Sequence, residues 1–163
     1  MPLLDATGLI ESSAEPKDMA DVQAHFATAP LSNEKYALTI ANNADITSLA
    51  EILPHLALIS IAFPSFSDGR GFSLARRLRA AGFAGRLRAS GPLIVDQFRY
   101  ALACGFDEIE LPEPSFARQP AAQWLAALKA AGPQYQRGYQ RGETILDART
   151  KARVAAIKSQ AHV

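Results

Sequence analysis

The stretch "FPSFSDGRGFSLARRLR" at residues 63–79 brings together the residue types that hold anions, directly behind the apolar run "LALISIAF". Gly69 and Gly71 permit positive φ and let a ligand approach the backbone closely. A helix starting there offers free N–H groups and the positive end of its dipole. Arg70 adds a planar fork that can grip a carboxylate, a phosphate or a sulfur oxyanion, and Ser67 adds a hydroxyl. Asp68 can orient that arginine or act as a general base. The same residues also have a structural explanation, because Asp-Gly is turn chemistry and an Asp68–Arg70 ion pair would close the loop.

A second basic element follows at "RLRAS" (86–90), where Arg86 and Arg88 alternate along a short strand. A sheet interior does not tolerate an unpaired charge. Arg88 is therefore expected either to pair with Asp68 or Asp96 or to line the same mouth. Asp96 is the second candidate base, and Gln97 beside it is a further donor. The expected anion-binding set is thus Ser67, Gly69, Arg70, Gly71, Arg88 and Gln97, bordered by Asn42, Asn43, Ser90, Gly91 and Glu110. Arg76, Arg77 and Arg79 read as a solvated helix face.

Charge supports a local site and argues against a general polyanion binder. The formal net charge is only +1, which excludes broad nucleic-acid or membrane-surface binding as the expectation. Between Asp68 and Asp96, however, there are six arginines and no acid, so that segment carries +6 and leaves −5 for the remainder. An anionic ligand or an acidic partner surface is the natural complement.

The elements that must position these residues follow from periodicity. Strands are expected at 35–42, 56–63, 86–90 and 107–112. Helices are expected at 44–53 (Asp45 as cap), 71–82, 92–105 and 121–132, with a shorter one across "AEPKDMADVQAHFAT". The β-α alternation with short connections predicts an α/β fold, a four-stranded, mostly parallel sheet built from βα units. An open three-layer sheet is the favoured closure and a half-barrel the alternative. Both place ligands beyond the carboxyl ends of the strands. Residues 1–34 form a weakly patterned N-terminal segment, 35–132 the α/β domain, and 133–163 a C-terminal extension. That extension either frays or packs on a partner subunit, which would make a homodimer.

Other chemistry is excluded or unsupported. The single cysteine, Cys104, excludes an internal disulfide and reads as core. His25, His55 and His162 have no partners at ligand spacing, so no metal is expected. No dinucleotide fingerprint or Walker loop is present, so no cofactor is expected. The opening residues carry neither a basic n-region nor a sustained apolar region, and no stretch reaches the roughly 18 apolar residues of a membrane span. A cytoplasmic protein is expected.

"LISIAFPSFSDGRGFSLARRLR", "GRLRASGPLIVDQ" and "ALACGFDEIEL" resemble the bacterial family known as domain of unknown function 934, often labelled a probable oxidoreductase subunit. The likeness is strongest over 56–111 and extends from about 35 to 140. Members typically carry an acidic residue where this chain has Arg86. The resemblance implies a neighbourhood, since such genes commonly lie beside those for sulfite reductase and phosphoadenylyl-sulfate reductase. It implies an accessory role in assimilatory sulfate reduction, with one of those reductases or a small oxyanion as partner. The alternative is a small α/β enzyme in which Asp68 or Asp96 is the base and Arg70 and Arg88 hold a phosphorylated or sulfonated substrate.

Overall fold

Apolar residues at every second position of three consecutive strands set the architecture. In the computed structural model, which describes residues 1–11, 14–28 and 35–130, β1 (Leu3–Asp5) and β2 (Gly8–Ile10) come first, followed by α1 (Met19–Thr28) and β3 (Tyr36–Ala41). Two 3-10 turns, Ile46–Leu49 and Leu53–His55, lead into β4 (Leu56–Ala62), then α2 (Arg70–Ala80) and β5 (Arg86–Ser90). The chain continues through α3 (Val95–Ala103), β6 (Glu108–Glu110), α4 (Glu113–Arg118) and α5 (Ala121–Lys129). The expectations for 133–163 lie outside the described residues.

The sheet has six strands where four were expected, in the order β2-β1-β6-β5-β4-β3. The four expected strands are parallel, while β1 lies antiparallel on both β6 and β2. The two additional strands come from the N-terminal segment, where three-residue strands are too short to show alternation. Their turn is held by the Asp5 carboxylate, which accepts from the Thr7 amide at 2.7 Å and from the Gly8 amide at 3.0 Å. Strand neighbours in the parallel part are also sequence neighbours, with no reversal of order. A doubly wound sheet reverses at a switch point, and the parallel strands here show no such reversal.

The expected helix at 44–53 is replaced by the two 3-10 turns, because Pro54 closes the segment before a longer helix can propagate. Asp45 nevertheless caps as expected, accepting from the Thr47 amide at 3.0 Å.

One sheet face carries Leu38, Ile40, Ile59, Ile61, Leu87, Ala89 and Ile109, which form a single core with Leu74 and Leu78 of α2 and Phe98 and Ala101 of α3. Trp124 of α5 is fully buried in it and crosses the Phe98 ring edge-on at 5.4 Å. Cys104 is buried there too, as its apolar neighbours suggested. The register puts Thr39, Ser60, Arg88, Glu108 and Asp5 in one row across five strands, on the opposite face.

Candidate functional site

The loop after β4 delivers Asp68 and Arg70 to the head of α2, and they engage each other. Arg70 Nε donates to Asp68 Oδ1 at 2.9 Å and Nη2 donates to Oδ2 at 2.6 Å, a two-point grip. The Arg70 backbone N–H donates to the same Oδ1 at 3.2 Å, so Asp68, one residue before the N-cap Gly69, also satisfies one free amide at the start of α2. The Arg70 fork, and after it the Asn42 amide, hold the Asp68 carboxyl well below the usual carboxylate range. Asp68 in turn raises Arg70. A carboxylate held this firmly in its ionised form is a poor proton acceptor near neutral pH.

The remaining loop residues are tied into the fold. Gln97 links two loops at the carboxyl edge: its Nε2 donates to the Phe66 carbonyl at 2.6 Å and its Oε1 accepts from the Ile94 amide at 3.2 Å. The Ser67 and Ser65 hydroxyls lie 2.9 Å apart. Asp96 is exposed in the first turn of α3. Neither loop glycine has positive φ: Gly69 sits at −81°, and Gly71 lies within α2. Gly71 is explained by packing, since a Cβ there would come within 2.4 Å of the Phe63 ring.

Arg88 does not join that loop. It is 1% exposed and lies on the sheet face away from the core, where its Nε donates to Glu108 Oε1 at 2.7 Å. Its Nη1 is 3.8 Å from Glu110 Oε1, and Glu110 Oε2 accepts from the Ser90 hydroxyl at 2.8 Å. Glu108 Oε2 is paired with the Arg86 guanidinium. The expectation that Arg88 pairs with Asp68 or Asp96 is therefore corrected: the parallel register sets Glu108 directly beside it. Glu108 was missed and Glu110 was expected only at the strand's carboxyl edge, although "DEIEL" spaces the two at the same two-residue interval as Arg86 and Arg88.

The arginine-rich segment is largely answered by acids from elsewhere in the fold. Arg79 is no solvated residue, for it donates to the carbonyls of Gly105, Phe83 and Gly85 and to Asp107 Oδ2, between 2.7 and 3.0 Å. Asp107 Oδ2 also accepts from the Leu87 amide at 2.8 Å. Arg77 contributes weakly to lowering the Asp45 carboxyl, behind the Thr47 hydrogen bonds. Arg76 instead lies over the Tyr100 ring, 5.7 Å from its centroid. Tyr100 and Phe66 are two of only four large apolar side chains that stand exposed among the described residues, at 50% and 53%. Gln97 connects them, since it bonds the Phe66 carbonyl and lies one turn before Tyr100 on α3.

A cavity of about 280 Å³ opens at the other end of the sheet, lined by Leu53, Pro54, Leu56, Phe83 and Gly85 with Lys35 among them. It contains none of the candidate residues. Among the described residues no group of three or more His, Cys, Asp or Glu is placed to hold a metal, and no helix is long and apolar enough to cross a membrane.

These features define a small α/β protein whose charged loop residues are largely paired within the fold and which exposes Phe66 and Tyr100, the latter under the Arg76 guanidinium. Over residues 37–146 the chain matches the family model described as a bacterial protein of unknown function, DUF934, and it belongs to that family. No curated protein and no solved structure matches it.

Proposed function

We propose that the protein is a non-catalytic, cytoplasmic accessory factor of assimilatory sulfate and sulfite reduction. It works by docking on a reductase, sulfite reductase or phosphoadenylyl-sulfate reductase, through the surface formed by Phe66, Tyr100 and Arg76. The observation that carries this reading is the exposure of the Phe66 and Tyr100 rings, with the Arg76 cation stacked on Tyr100. Aromatic residues and arginine are the side chains that dominate protein–protein binding energy. One of the two candidate bases favours binding over catalysis, since Asp68 is fixed as a carboxylate by Arg70.

A protein partner accounts for this surface better than a nucleic acid does. Single-stranded nucleic acids stack on open aromatic faces lying in a basic groove, whereas Arg76 already covers one face of Tyr100. The whole chain also carries only +1. The reductases come from the family resemblance, and the physiological test is genetic. Deletion of the gene should make growth on sulfate depend on added cysteine or sulfide. Wild type should restore growth, whereas the Phe66→Ser/Arg76→Glu double variant should not. Undisturbed growth of the deletion strain on sulfate would refute the pathway assignment.

A further inference from the structure

We propose that the cavity at the amino ends of β3, β4 and β5 is a binding site for a small carboxylate with an apolar body, and that Lys35 holds its charge. The site goes beyond partner docking and uses none of the docking residues. Lys35 directly precedes β3, Leu56 opens β4 and Gly85 directly precedes β5. Leu53 and Pro54 of the 3-10 turn before β4, with Ala81 and Phe83 after α2, contribute the rest of the lining.

The walls of this cavity are fixed by the fold itself. α2 ends in a left-handed glycine, Gly82 at φ +90°. Its amide donates to the Arg79 carbonyl at 3.0 Å, and the Phe83 amide donates to the Leu78 carbonyl at 3.1 Å. Arg79 pins the loop beyond, since its Nη1 donates to the Phe83 and Gly85 carbonyls and its guanidinium lies 5.6 Å from the Phe83 ring centroid. Gly85 has no room for a side chain: a Cβ would come within 2.5 Å of the Phe83 ring and 2.7 Å of the Ala57 carbonyl oxygen. A Cβ on Gly82 would meet nothing within 4 Å, so that side is open. Fixed apolar walls with an open mouth are the usual form of a small-molecule site.

Charge and size then define the ligand. The lining carries one charged side chain, Lys35, and no carboxylate, so its complement is an anion. An ammonium is a point charge without the fork that grips phosphate and sulfate at two points. The carboxyl end of α2, which reaches the cavity at Ala81, carries partial negative charge. Together they suit a single negative charge and disfavour a dianion. The remainder of the ligand must be apolar to match Leu53, Pro54, Leu56 and Phe83. The volume of about 280 Å³ is nearly twice the roughly 150 Å³ that takes up a benzene molecule, which sets the ligand at about ten non-hydrogen atoms. An unbranched monocarboxylate such as octanoate has that size and charge.

The experiment is an NMR titration of isotope-labelled protein with sodium octanoate and, separately, with octanol, its uncharged counterpart. Octanoate is expected to move the backbone amide signals of Lys35, Gly82 and Gly85 saturably, with a Kd of about a millimolar or tighter. Lys35→Gln should weaken octanoate at least about threefold, the worth of one solvent-facing charge pair, and leave octanol binding unchanged. Lys35 is exposed, so the substitution spares the core, and unchanged amide signals elsewhere in the spectrum verify the fold. Octanoate that produces no saturable shift at those three amides would overturn the inference. So would equal octanoate affinity in wild type and Lys35→Gln, or a variant that loses both ligands to the same degree, because neither leaves Lys35 a role in holding the charge.

Discussion

Arg79 donates all five of its N–H groups within the chain, to three carbonyls and one carboxylate. It fastens the end of α2 to the loops before β5 and β6. Arg79→Ala is expected to cost about 2–4 kcal/mol in urea unfolding, because several part-buried carbonyls lose their donor at once. Arg79→Lys should recover only a small part, since an ammonium cannot reproduce the fork. Gly105 belongs to the same arrangement: its φ is +103°, and a Cβ would sit 2.7 Å from Arg79 Cγ. Gly105→Ala should therefore destabilise by about 1–3 kcal/mol in the same assay. Asp68 adds a pH dependence whose sign is fixed. Its folded-state pKa is lowered, so its stabilisation is fully present above the ordinary carboxylate value of 3.8 and fades as pH falls below that value toward the folded one. Thermal melts at pH 7 and pH 3 should show a smaller loss for Arg70→Ala than for wild type, because that variant lacks the fork that lowers Asp68.

At the scale of elements, the long apolar strands were legible and the short or polar ones were not. "LALISIAF" could only be a covered strand, and "GFSLARRLRAAG" carried its helical spacing openly. The β1–β2 hairpin was invisible because three residues give no period, and β1 exists only because β6 offers it an edge. Pattern also located the candidate loops at the carboxyl edge but could not say which charges would meet. Arg70 and Arg88 both follow from the expected edge, yet alternation along β5 sends Arg88 to the face opposite the core, beside Glu108. Partner choice there depends on register, which one strand's sequence does not contain. The buried pair also has a measurable consequence. Glu108→Gln should cost about 1.5–3 kcal/mol, because Arg88 loses its nearest carboxylate and keeps only the longer contact to Glu110, whereas a paired apolar replacement at 88 and 108 should cost much less. Chemical denaturation of the two variants distinguishes these cases.

For the molecule as a whole, a cluster of six arginines in sequence becomes in three dimensions a largely self-neutralised set. Asp68, Asp107, Glu108 and Glu110 come forward to meet Arg70, Arg79, Arg86 and Arg88. Phe66 and Tyr100 remain exposed, with Arg76 over the Tyr100 ring, and the central claim is that these side chains dock a reductase. Surface substitutions at Phe66 and Arg76 should leave stability within about 0.5 kcal/mol, so a loss of binding can be read as a loss of contact. The most direct measurement is biolayer interferometry of the purified protein against purified sulfite reductase and phosphoadenylyl-sulfate reductase. Binding to one of them with a Kd on the order of micromolar is expected for wild type, as for a transient interface, with at least about a tenfold loss in Phe66→Ser/Arg76→Glu. Wild type that binds neither enzyme, or a double variant that binds as tightly as wild type, would contradict the claim.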